Sequence, residues 1–298
     1  MPMSLHMSVS VEGRAMKLEE LINKAGDMKV LPSVARKVME MVERDDVSGN
    51  QLAEAISKDQ ALSAHLLKAA NSALFGLPRE ITTVLMAVNV LGFKNTRDMT
   101  IMAATRGVYK RFGITEKMLW THSVSAAIGA KTIASRFAPF VRDDAFICGL
   151  LHDVGKVILN NECPDLFSQV MMRTYNEGDS SIRAESEVFG YTHTEVGSLI
   201  TTKWNYPKVI SSIILQHHRD QEPRPPMEDP GTLKVLACVD LSNTICKVLG
   251  AGYREPRETL DLVDHPALSF LDIPTETAPK LVAELQEAFA KEAAYWVH

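Results

Sequence analysis

Five histidines and two aspartates have the types and spacing of a metal site: His122, His152, Asp153, His193, His217, His218 and Asp240. The densest piece is LLHDVGK, residues 150–156. An adjacent His-Asp pair on a buried helix offers an imidazole and a carboxylate to one metal ion, or to two neighbouring ions. Gly155 lets the backbone turn or approach closely, and Lys156 can reach a phosphate beside the metal. His122 lies in MLWTHSVSAAIGA, on the edge of an inward stripe of Leu119, Ser123, Ala126 and Ala130. Thr192-x-x-Glu195 is a capping box that places His193 in the first turn of a helix. His217 and His218 end a helix that begins at Pro207 and buries Val209, Ile210, Ile213 and Ile214. Asp240 is in register with Leu233, Leu236, Ala237 and Thr244.

Simpler explanations exist for each residue alone. A single inward histidine is more often a hydrogen-bonded core residue than a ligand. His217-His218 can oppose a helix dipole, and Asp240 can pair with Lys247. A lysine after a helix, such as Lys156, is commonly just solvated. The joint pattern shifts the balance, because each residue otherwise needs its own account. A buried carboxylate without a partner is costly, a cation removes that cost, and the histidines are natural co-ligands. His6, His65, His265 and His298 fall outside the pattern.

The elements that must position these side chains read as helices almost throughout, since apolar residues recur at three and four and seldom at two. The expected fold class is all-α. A tail over residues 1–16 precedes an N-terminal helical subdomain over 17–116. A larger metal-binding helical domain follows over 117–298, with KRFGITE near 110–116 as a plausible hinge. In the first half, Leu31-Pro32-Ser33 opens a helix with Val34, Val38, Met41 and Val42 on one face. Ser48 and Gln51 form a capping box, Asp59 caps the next helix, and Gly76 is its stop. Asp144 is read as the cap of the helix that leads into His152. The polar stretch over 220–231 is a loop, because its prolines and charges forbid helix.

Composition narrows the function classes. Hydrophobic residues make up 46% and charged residues 23%, as in an ordinary globular protein. The net charge is −5, with no basic stripe, which argues against a nucleic-acid scaffold. No apolar run approaches the ~20 residues of a membrane span. The four cysteines lack metal-type spacing and read as reduced thiols in a cytoplasmic protein.

His122, then His152-Asp153, then Asp240 resemble the H…HD…D signature of the HD superfamily of metal-dependent phosphohydrolases. HDVGK and the QHH at 216–218, with His193 between, resemble the HD-GYP branch. In the first half, LPSVARKVMEMV, SKDQALSAHLLKAANSALFG and AVNVLGF resemble the HDOD domain, the HD-related output domain of bacterial signalling proteins. The resemblance covers about residues 17–290. It implies a signal-transduction output module with a metal-binding HD-type site and a signalling protein as partner. The alternative it implies is a phosphohydrolase or phosphodiesterase acting on a nucleotide or cyclic dinucleotide. The chain departs from HD-GYP proteins where RDQEPRPP replaces the GYP segment, and the basic signature after the last aspartate is missing. Met118 stands where trinuclear sites have a glutamate, so two ions are expected rather than three. In that scheme Asp153 bridges them; His122, His152 and Asp240 complete one, and His193, His217 and His218 the other. Asp153 and Lys156 are the expected catalytic residues. So many imidazoles favour a transition metal, iron first and manganese next.

Overall fold

The computed structural model describes residues 16–26, 33–42, 44, 46–72, 80–218, 229–253, 255–256 and 262–293. The fold is all-α, and no strand occurs among the described residues. The helices are α1 (Leu18–Gly26), α2 (Ser33–Val42), α3 (Gly49–Ser57), α4 (Gln60–Ala70), α5 (Val84–Arg106), α6 (Ile114–Phe137), α7 (Arg142–Leu151) and α8 (Val154–Glu162). They continue with α9 (Pro164–Asn176), α10 (Ser181–Phe189), α11 (His193–Lys203), α12 (Lys208–Gln216), α13 (Pro230–Val248), α14 (Pro266–Phe270) and α15 (Ala278–Ala288).

Local chemistry sets several boundaries. Ser48 and Gln51 form the reciprocal capping box of α3, and the Asp59 carboxylate accepts from the Leu62 backbone N–H at 3.0 Å to start α4. Thr192 and Glu195 do the same for α11. Asp144 does not cap α7. A 3-10 turn over Pro139–Val141 runs straight into the helix, so Val141 holds the cap position and Asp144 lies inside the first turn. There its charge complements the helix dipole instead. The expected opening at Leu31-Pro32, the stop at Gly76 and most of the 220–231 loop lie outside the described residues.

Two hydrophobic cores result. The smaller joins Val38, Leu52, Ile56, Leu62, Leu66, Val88 and Leu91, from α2, α3, α4 and the first half of α5. The larger runs from α6 to α15, and it also takes in Leu21 and Ala25 of α1 and Ile101 and Met102 of α5. Burying each such Leu, Ile or Val side chain contributes about 1.5–3 kcal/mol. α5 serves both cores because it kinks at Gly92, where φ is 74°, a conformation that only glycine adopts without strain. Just past the kink, buried Arg97 and Asp98 tie α5 to α6 through Lys131 (Asp98 Oδ2, 2.8 Å) and to α7 through Asp143 (Arg97, 3.2 Å).

Among the described residues, no helix is long and apolar enough to cross a membrane. Cys148, Cys238 and Cys246 are buried free thiols, as their apolar surroundings suggest.

Gly155 shows how tightly the second core is set. A Cβ there would overlap the backbone carbonyl of His193, so α8 and α11 touch through their backbones. Gly155→Ala should therefore destabilise the chain by about 1–3 kcal/mol, read as a lower urea midpoint at unchanged slope. An unchanged midpoint would show that the contact is not tight.

Candidate metal centre

The site forms where five helix termini or faces converge. His122 projects from α6. His152 is the C-cap of α7 and Asp153 the N-cap of α8. His193 is the first residue of α11, and His217 and His218 follow the last turn of α12. His152 and His193 are fully buried; His122, Asp153 and His217 are nearly so.

Hydrogen bonds fix the imidazole tautomers. Nδ1 of His152 donates to the Gly149 carbonyl at 2.8 Å, Nδ1 of His217 to the Ile214 carbonyl at 2.8 Å, and Nδ1 of His122 to the Ala251 carbonyl at 3.2 Å. Nδ1 of His193 donates to the Glu185 carboxylate at 2.6 Å. With Nδ1 committed, each Nε2 faces the cluster and offers it a lone pair whenever the ring is neutral. Nε2 of His122 lies 3.2 Å from Nε2 of His152, and Nε2 of His193 lies 3.3 Å from that of His217 and 3.2 Å from that of His218.

Facing lone pairs repel unless a cation lies between them. Burial pushes the His122 and His217 imidazoles down to about 3 and drives His218 well below its ordinary value. Protons are therefore not retained there near neutral pH. His193 goes the other way: burial opposes its charge, but Glu185 and Asp153 together more than offset this.

Asp153 sits in the middle. Its Oδ1 is 3.2 Å from His193 Nε2 and 3.5 Å from His217 Nε2; its Oδ2 is 3.4 Å from His152 Nε2 and 3.6 Å from His122 Nε2. Burial works against this carboxylate, yet Lys156 and the imidazoles hold it well below the usual range. Lys156 Nζ donates to Oδ2 at 2.8 Å, while buried Oδ1 has no hydrogen-bond partner among the described residues. An orphaned anionic oxygen facing bare imidazole nitrogens is a donor set that fits a transition-metal ion. Two compact groups can each hold one: Asp153, His193, His217 and His218, and His122, His152 and Asp153. The single carboxylate belongs to both.

Asp240 is brought to the same cavity but into neither compact group. Two residues on, the Ser242 hydroxyl donates to the Ala126 carbonyl at 2.9 Å where α13 crosses α6 at Gly129, while Asp240 lies beside the start of α14. There Asp240 lies 3.9 Å from His265 Nε2. Sequence reasoning set His265 aside, yet it lines the cavity and also meets Thr244 at 3.0 Å. Glu185 was missed entirely. It is fully buried and also accepts the His193 backbone N–H at 2.7 Å. A glutamate in a mixed polar helix eight residues upstream of a histidine carries no spacing signal for this. The turn at Gly190, φ 81°, brings the two together.

Of the cluster, His122, Asp153, His217 and His218 line the floor of a cavity of about 430 Å³ that also takes in Lys247, Asn243, Tyr175 and Tyr253. That volume is in the range of small-molecule sites.

A family model, the HDOD domain, matches residues 28–220. A protein of unassigned function from Treponema pallidum (strain Nichols) is 23% identical over 288 residues, covering 96% of this chain; the chain spans about half, 54%, of that relative's length. An HDOD domain protein of unknown function from Geobacter sulfurreducens has the same fold, with a TM-score of 0.78, 24% identity, and 94% and 95% of the two chains covered. A candidate phosphohydrolase from Shewanella amazonensis SB2B superposes with a TM-score of 0.67 at 20% identity, over 93% and 97% of the chains.

Glu185→Gln should weaken metal binding at the His193 group by roughly 10–100-fold and leave the His122–His152 group much less affected. Titration of the metal-stripped protein with manganese would show one weakened class of site. Equal weakening of both, or of neither, would remove Glu185 from this role.

Proposed function

The chain belongs to the HDOD domain family, and from that premise we propose that it is a signalling output module whose HD-type site hydrolyses a phosphoester with the help of two divalent cations. One observation carries this reading: the two oxygens of Asp153 face two separate imidazole groups on the floor of an open cavity. His193, His217 and His218 would hold one ion and His122 and His152 the other, with Asp153 shared and Asp240 reachable from the cavity. Iron suits this donor set first, manganese next. Such ions, when bound, acidify water and polarise a phosphoryl group.

The chain's own residues supply the rest. Lys156, mostly buried, keeps its proton: burial opposes its charge, and Asp153 and Glu185 more than offset that. It is placed to neutralise charge growing on a phosphoryl oxygen. Carbonyls of Gly149, Ile214 and Ala251 hold the imidazoles in the tautomer that presents Nε2.

A second reading is favoured by the separate smaller core. With its own apolar cluster, the N-terminal unit can dock a signalling partner while the metal site only braces the larger unit. Asp153→Ala separates the two. If the site is catalytic, hydrolysis of bis-p-nitrophenyl phosphate or p-nitrophenyl phosphate by the manganese-loaded protein should fall by at least about 10²-fold with the melting temperature nearly unchanged. A sharp drop in melting temperature, reproduced in the wild type by a chelator, and no wild-type turnover would sink the enzyme reading.

A further inference from the structure

The metal groups account for the floor of the cavity but not for its α13 wall. Asp240, Asn243, Thr244 and Lys247 occupy positions i, i+3, i+4 and i+7, and all four line the cavity. That spacing gathers them on one helix face. Thr244 is engaged, donating to the Asp240 carbonyl at 3.0 Å and meeting His265. Asn243 differs. It is 3% exposed, and its Oδ1 has no hydrogen-bond partner among the described residues. Buried side-chain oxygens in folded proteins nearly always have a partner, so an orphan on a residue that lines a cavity marks a place for one. An amide oxygen accepts and cannot donate, so the missing partner carries an N–H or O–H.

The rest of the cavity narrows the partner. Lys156 and Lys247 bring positive charge, which suits an anion. Tyr175 and Tyr253 pack with ring centroids 5.2 Å apart, and the Tyr175 hydroxyl donates to the Gly252 carbonyl at 3.2 Å, which steadies this pair. Phe167 and Met171 extend the same apolar wall. An aromatic surface of this kind suits a flat ring.

We propose that Asn243 determines specificity, its Oδ1 accepting a hydrogen bond from a ring amino group on a phosphate ester, with Lys247 beside the ester's charge and the tyrosine pair against the ring. This rests on reading the floor as a phosphoryl site. Asn243 belongs to neither metal group, so its substitution leaves the ligand set intact.

The test compares adenosine 5′-monophosphate with purine riboside 5′-monophosphate, which lacks only the amino group. Binding of each, and of inorganic phosphate, to the manganese-loaded full chain is measured by thermal-melt titration. The wild type should prefer the amino-bearing ester by roughly tenfold or more. Asn243→Leu should erase the preference, and Asn243→Asp, which keeps an acceptor oxygen, should retain it. Equal binding by the wild type, or a preference that survives in Asn243→Leu, overturns the role of Asn243 and leaves the phosphoryl floor standing. No binding of either ester or of inorganic phosphate overturns both. The wild-type ratio and the Asn243→Asp ratio decide the case if Asn243→Leu does not fold.

Discussion

A carboxylate buried among bare imidazole nitrogens is stable only if positive charge lies between them. Asp153 is that carboxylate. Lys156 meets one of its oxygens, and the other has imidazoles for neighbours but no donor. Burial denies protons to His122 and His217, while Glu185 and Asp153 hold His193 toward its charged form. The site thus gathers a carboxylate and lone pairs that bound cations would satisfy, and the larger core holds them in place.

The scaffold meets this need through backbone contacts. Gly149 lets α7 press against the α6 backbone at Ala126, while Gly252, at φ 78°, packs on His122. These contacts bring His122 and His152 within reach of each other. Gly155 brings α8 against the start of α11, which delivers His193 to Asp153. The kinked α5 then connects this packed unit to the smaller core through the buried Arg97–Asp98–Lys131 cluster.

The legible part of the sequence was the part governed by local rules. The 3.6-residue period gave the all-α fold, and the Ser48, Asp59 and Thr192 caps set helix starts where they were expected. The convergence of His122, His152, Asp153, His193, His217 and His218 could be read because each is an uncommon residue on an apolar face. The illegible part was governed by tertiary geometry. Asp144 looked like a cap until the 3-10 turn before it claimed the helix start. Glu185 gave no signal because its partner comes from the next helix. Asp240 lines the cavity but lies 3.9 Å from His265 Nε2 and in neither compact group, a tertiary placement that its helical register alone does not show.

The most direct test of the shared carboxylate is metal content in protein purified without chelator, compared across three variants. The wild type should carry about two equivalents of iron or manganese. His122→Ala and His217→Ala should each retain about one, and Asp153→Ala should lose both, because only that residue serves both groups. One equivalent in the wild type, or an Asp153→Ala variant that still holds metal as tightly as either histidine variant, would contradict the account.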